Sequence, residues 1–348
     1  MTIWLYILFA FTVVSVFLED YLKDRDKLCI YIAIVTSMLV FAAMRDVTTT
    51  PDSDAYEEMF YGKSNIFAHF VEPTFTLIAD IVRFLGYGVG AIFLIYAIIN
   101  IVTKGFMIYK ISMFPLTAVC AYMSHQYLLH DMIQIRAGAA AAFLFMAVYY
   151  IIKEKKIYAA IAIGVAILFH FSAALGLVLL FYNNKPLDNL RMWILRCVLP
   201  VGLLLYAIKF NVFSIIPGFI GGFKMEVYKS QAETGMMSSA SLVDDPLILL
   251  RMFVFGYTLY FYNTIKEYTE YAPILLKVMG TSLFIFLMFS CTNRIFAYRL
   301  SELLYIADPI VMTFMIYTIR PAWVGKTIIV AANAAVILWC VKVLQYVQ

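Results

Sequence analysis

Residues 132–152 read MIQIRAGAAAAFLFMAVYYII, and KEKK follows at 153–156. A helix of that length spans about 30 Å, the thickness of a bilayer's hydrocarbon core. Only a helix or a closed barrel satisfies every backbone N–H and C=O there, and the run is rich in Ala and Ile. The basic KEKK loop places its lower end at the cytoplasm, because short cytoplasmic loops concentrate Lys and Arg.

The rest of the chain repeats this pattern. Apolar runs cover 2–18, 28–44, 88–109, 114–129, 157–182, 192–209, 247–264, 273–291, 297–319 and 323–345, with a shorter one at 73–86. The 348 residues are 64% hydrophobic and 14% charged, with mean hydropathy +0.88. A soluble domain carries about 25% charged residues, so this chain has too few to coat a water-facing surface. The expectation is an all-α, polytopic integral membrane protein of about 10–12 transmembrane helices, with re-entrant or interfacial segments. It forms one transmembrane domain over 1–348, with external loops at about 45–72 and 210–246. No room is left for a separate soluble catalytic domain, so any chemistry must be built from helix ends and loops.

The net charge of +4 suits anionic headgroups and does not suggest nucleic acid. Cys29, Cys120, Cys197, Cys291 and Cys340 are scattered singly, without CxxC or His at ligand spacing, and read as small buried hydrophobes. The first run lacks a basic leader and a small-residue cleavage site, so it is expected to be a retained helix.

Orientation follows the basic loops. Lys23, Arg25 and Lys27, then Lys104 and Lys110, then 153–156 are expected at the cytoplasm. The loop from Arg45 to Glu72 then faces outward, and the run 73–86 must enter and leave by the same face, ending at Gly86-Tyr-Gly-Val-Gly90. The 26-residue run 157–182 is either one long span or a hairpin bent near His170. The hairpin is preferred because it gathers the polar residues below at one face, with Lys224, Tyr228 and Lys229 in the outer loop.

In so apolar a chain the informative residues are the polar ones at span ends, since an ionisable group at the bilayer centre costs about 2.5–3.5 kcal/mol. Arg45 ends the second span, and Asp52, Asp54 and Tyr56 follow in a Pro-containing loop, then Glu72-Pro73. His130-Asp131 precedes Gln134 and Arg136, which lie just inside a helix of small residues that admits close approach. An ion pair of Arg136 with Asp131, Glu72 or Asp54 is the alternative to ligand binding. His170-Phe-Ser172 falls within an apolar run, where His is a packing residue or, at a bend open to the exterior, a general base. His130 is its rival. Arg251 opens a span, and Asn293-Arg294 is followed by Arg299 and Glu302. Five arginines at outer helix ends suggest an anionic ligand, for which the planar guanidinium fork is suited. Asp52-Ser-Asp54 is weak as a cation motif. No metal and no cofactor are called for.

Arg45, Asp54-Ala-Tyr56, Phe60, Glu72-Pro73, Ile135-Arg-Ala-Gly-Ala139, His170-Phe-Ser-Ala173, Asn293-Arg294 and Arg299 stand in the order that resembles the EpsG-like group of Wzy-type polysaccharide polymerases. These are membrane glycosyltransferases of bacterial O-antigen, capsule and exopolysaccharide assembly. Asp52-Ser53 stands where such proteins often have a Gly before the first loop Asp. The resemblance implies that undecaprenyl-pyrophosphate-linked oligosaccharides serve as donor and acceptor at the periplasmic face of the inner membrane. A chain-length regulator is a further partner it leaves open. On this reading Arg45, Arg136, Arg251, Arg294 and Arg299, with Gln134 and Tyr56, bind the pyrophosphate or glycan. His170, Asp54, Glu72 or His130 supplies the base. A ligase using the same donor, a flippase or transporter, and a membrane acyltransferase built on His130-Asp131 remain alternatives.

Overall fold

A computed structural model describes residues 2–46, 50–62, 71–212, 242–291 and 293–347. Among them the regular elements are all helical, with no strand, as the apolar runs require. Seven helices among the described residues are long and apolar enough to cross a membrane: Asp24–Ala43, Val89–Ile111, Ile135–Ile152, Asn189–Ala207, Ala272–Ser290, Arg294–Thr318 and Ala322–Lys342. Thr2–Leu18, Lys156–Phe169, Phe171–Phe181 and Pro246–Tyr260 are shorter apolar helices. The chain is an all-α polytopic membrane protein.

It packs as two compact units, Met1–Asn183 with Asp308–Gln348, and Asn184–Ala307. In the first unit the Ala-rich face of Ile135–Ile152 is buried, and its small side chains let neighbours close in. Lys156–Phe169 returns antiparallel to it through the turn at 153–155. The run 157–182 is broken at His170, whose φ of −156° and ψ of 117° are extended, and it continues as a 3₁₀ helix over Phe171–Phe181. Gly176 lies so close to Leu144 that an added Cβ would sit 2.3 Å from Leu144 Cδ2. With His170 level with Arg136 and Gly176 level with Leu144, the 3₁₀ segment runs back along the helix it came up beside, the hairpin geometry preferred from the sequence.

Polar groups tie the other end of this unit. The buried Glu19 carboxylate accepts from Leu116 N and Thr117 Oγ1, both at 2.7 Å, and so satisfies the first turn of helix Pro115–Ser124. Lys326 reaches Asp20 at 2.9 Å and the Val16 carbonyl at 3.1 Å. The run 73–86 forms Pro73–Phe84, whose 12 residues extend about 18 Å, too short to cross. It stops at Leu85-Gly86, where Gly86 takes φ 77°, a conformation open to glycine without strain.

In the second unit, glycines again set the contacts. Gly202 of Asn189–Ala207 faces Leu287 of Ala272–Ser290, and Gly280 meets Phe255 and Leu195, so that three helices share one seam. Most of the expected outer loop 210–246, with Lys224, Tyr228 and Lys229, lies outside the described residues.

Candidate active site

The first unit brings Arg136, Glu72 and His170 together. Pro73 starts its helix at the favoured first position and holds the preceding residue extended. Glu72 accordingly takes φ −67° and ψ 148°. Its carboxylate is 1% exposed, and Arg136 Nη1 donates to Oε2 while His170 Nδ1 bonds Oε1 at 2.9 Å. Arg136 and His170 are 19% and 21% exposed, so the shared carboxylate is sealed while both partners keep an open side. Burial by itself raises the Glu72 pKa, but the His170 bond and the Arg136 charge prevail and hold it at about 2.

Each member is placed by a local break in helical structure. Gln134, half-buried at φ −93° and ψ 61°, ends a π-helical turn over Tyr127–Ile133 and starts the helix whose first turn carries Arg136. Its carbonyl accepts from Gly138 N at 2.8 Å. At the His170 break, Thr74 Oγ1 donates to the freed Leu168 carbonyl at 2.8 Å, so the residue two after Glu72 also fixes the bend that presents His170. The Arg136 guanidinium lies 5.6 Å from the Tyr56 ring centroid and 5.8 Å from that of Phe75. The rings of Phe75, Tyr96 and Phe169 continue this aromatic wall. Burial pushes the Tyr56 hydroxyl above its usual pKa, with Arg136 opposing.

Arg45 is 4% exposed. Its Nη1 donates to the Asp131 carbonyl at 2.9 Å and the Ala42 carbonyl at 3.3 Å, and its cation lies 4.1 Å over Phe93. Burial lowers its pKa to about 10, with Tyr56, Tyr127 and Asp131 opposing. Asp54 is exposed in the first turn of Ser53–Tyr61. His130 is fully buried in the π turn, and neither ring nitrogen has a hydrogen-bond partner among the described residues.

The other three arginines lie in the second unit. Arg251 is 3% exposed, lies 3.5 Å over the Tyr305 ring and donates to Ser282 Oγ at 2.9 Å. Arg294 pairs with the buried Asp245 at 2.8 Å, and Asp245 also caps helix Pro246–Tyr260 by accepting from Ile248 N. Arg299 is exposed. Of the aromatic wall the sequence singles out Tyr56 but not Phe75, Tyr96 or Phe169, and it does not single out Asp245, although Asp245-Pro246 is a helix-start signature that could have marked it. Among the described residues no three His, Cys, Asp or Glu side chains are grouped to hold a metal ion.

A family model, the EpsG family, matches residues 27–346. The chain belongs to the EpsG family. Arg136, Glu72, His170, Arg251 and Arg294 all fall within the matched range. No curated protein and no solved structure matches the chain. This EpsG-family chain is thus a multi-pass membrane protein of the polysaccharide-polymerase type.

Proposed function

We propose that the protein is a glycosyltransferase that polymerises undecaprenyl-pyrophosphate-linked oligosaccharide repeat units at the periplasmic face of the bacterial inner membrane. The observation that carries this is one buried carboxylate, Glu72, bridging a half-buried arginine and a half-buried histidine. It sets an anion ligand and a proton acceptor side by side at the N-terminal end of helix Ile135–Ile152, where the helix dipole also favours negative charge.

The acceptor hydroxyl oxygen attacks the anomeric carbon of the donor glycan, the bond from that carbon to the pyrophosphate oxygen breaks, and undecaprenyl pyrophosphate leaves as the anion. The Arg136 fork offsets the charge that develops on the leaving oxygens. With Nδ1 held by Glu72, His170 takes the hydroxyl proton through Nε2, the pattern by which a carboxylate orients a histidine base. Glu72 is itself too acidic to be the base, and Asp54 is exposed in the first turn of Ser53–Tyr61. In the second unit, considered by itself, Arg294 is likewise held by a buried carboxylate, that of Asp245. The donor is already activated and the arginines carry charge stabilisation, so the reaction calls for no metal.

The test is the surface-polysaccharide profile of the native host after deletion of the gene, complemented with wild type, Arg136→Ala or His170→Ala. Collapse of the ladder to a single repeat unit, rescued by wild type and by neither variant, is the expected result. An unchanged ladder on deletion overturns the proposal, and loss of even the single repeat assigns the chain to ligation or flipping.

A further inference from the structure

Helix Val89–Ile111 contains a π turn at Ile98–Val102, and it packs on the π turn Tyr127–Ile133. Such turns are rare and are frequent at functional sites. The first turn presents Asn100, whose amide donates to the Ile135 carbonyl at 3.1 Å. Lys104, one helical turn further on and so on the same face, bonds Asp131 Oδ1 at 2.6 Å, with both side chains at most 2% exposed. The Tyr122 hydroxyl donates to the other carboxylate oxygen. The backbone carbonyl of this same Asp131 receives Arg45, and Gly138 packs so tightly on the His130 carbonyl that a Cβ would lie 2.1 Å from it. Asp131 therefore joins a sealed ion pair to Arg45, within the turn that leads into the helix carrying Arg136.

We propose that Lys104 and Asp131, closed by Tyr122, are positioning residues: their ion pair fixes the π turn Tyr127–Ile133, and thereby Arg45 and the helix start that carries Arg136. The inference rests on the transferase reading for its consequence, though not for its geometry. Neither residue touches substrate. They act through the register of the turn, where a misplacement of about 1 Å is worth about 100-fold in rate.

The test uses the full-length protein in lipid nanodiscs. Lys104→Met with Asp131→Leu removes both charges together, so that no unpaired buried ion remains to unfold the chain, and Tyr122→Phe keeps the ion pair while releasing one side of it. Hydrogen exchange over residues 127–138 is read beside residues 189–207 as an internal control, and KM and kcat are measured with a synthetic pyrophosphate-linked donor. The expected result for the double variant is faster exchange confined to 127–138 and a fall in kcat/KM for the donor of about 100-fold. The KM for the acceptor should be unchanged, and Tyr122→Phe should fall between. Unchanged exchange at 127–138 overturns the proposal, as does raised exchange with full activity. Should the wild type fail to act on lipid-linked repeats, the function proposed above falls, and the exchange arm still decides whether the ion pair fixes the turn.

Discussion

Glu72→Gln is the most informative single substitution, because glutamine has the shape of the protonated acid and isolates the charge. A carboxyl with a folded-state pKa of about 2 against 4.5 ordinarily, at 1.36 kcal/mol per pH unit, favours its ionised form in the folded protein by about 3 kcal/mol. Glu72 is almost completely buried, so solvent screening takes little of this away. The sign follows from the lowered pKa. The contribution is fully present above pH 4.5 and is lost as the pH falls toward 2. Chemical unfolding of purified wild type and variant in micelles should therefore show a gap of about 3 kcal/mol at neutral pH that closes progressively below pH 4.5. Transfer activity at neutral pH should fall by about 100-fold or more, the share a positioned general base supplies, since His170 Nδ1 loses its charged partner. A gap below about 1 kcal/mol at neutral pH, the level of an exposed ion pair, would refute the bridge. So would a gap that does not change with acid.

Arg136→Lys keeps the positive charge and removes the bidentate fork; membrane abundance should stay near wild type while kcat/KM for the donor drops by about tenfold or more, and full activity would rule out bidentate recognition. Gly138→Ala drives a methyl to 2.1 Å from a backbone oxygen, so overpacking of about 1–3 kcal/mol should lower the unfolding midpoint and the folded yield on size-exclusion chromatography. In the second unit, Asp245→Asn retains a good helix cap and loses the Arg294 ion pair, whereas Asp245→Ala loses both; the Ala variant should be the less stable by about 1 kcal/mol, and equal unfolding midpoints would dismiss the cap.

Composition and the length of the apolar runs are sufficient for the all-helical membrane fold, because backbone satisfaction in lipid leaves few alternatives. The bend at His170 was legible too, since a polar residue in the middle of a 26-residue apolar run marks a place where the helix need not continue. For Arg136 the sequence left three acidic partners open, and packing selects Glu72. Asp131 is unavailable because Lys104 holds it. That pairing was not legible: Lys104 reads as a cytoplasmic charge near Lys110, and the π turns that aim Lys104 and Asp131 at one another have no residue pattern of their own. A hydrophobic run reports that a helix is present, while an extra residue in one turn rotates everything beyond it without changing composition.

Burial separates the arginines that frame the protein from those that can meet a ligand. Arg45 and Arg251 are at most 4% exposed, each lying over an aromatic ring and donating to a fixed oxygen. Arg136 and Arg294 are both 19% exposed, and each is bound at one edge by a carboxylate that is almost completely buried. The same device thus occurs once in each unit. In a low-dielectric setting an unpaired guanidinium is costly, so a sealed carboxylate lets the cation wait at a helix end in a fixed orientation. At Arg136 the carboxylate binds one edge of a planar fork that has five donors, and on the proposed reading the remaining donors serve a phosphate. Since the carboxylate cannot move to water, it also forbids the arginine from following the leaving group out of the site. On the proposed reaction, release of undecaprenyl pyrophosphate then requires only that the new phosphate contacts break, and Arg136 remains in place for the next donor.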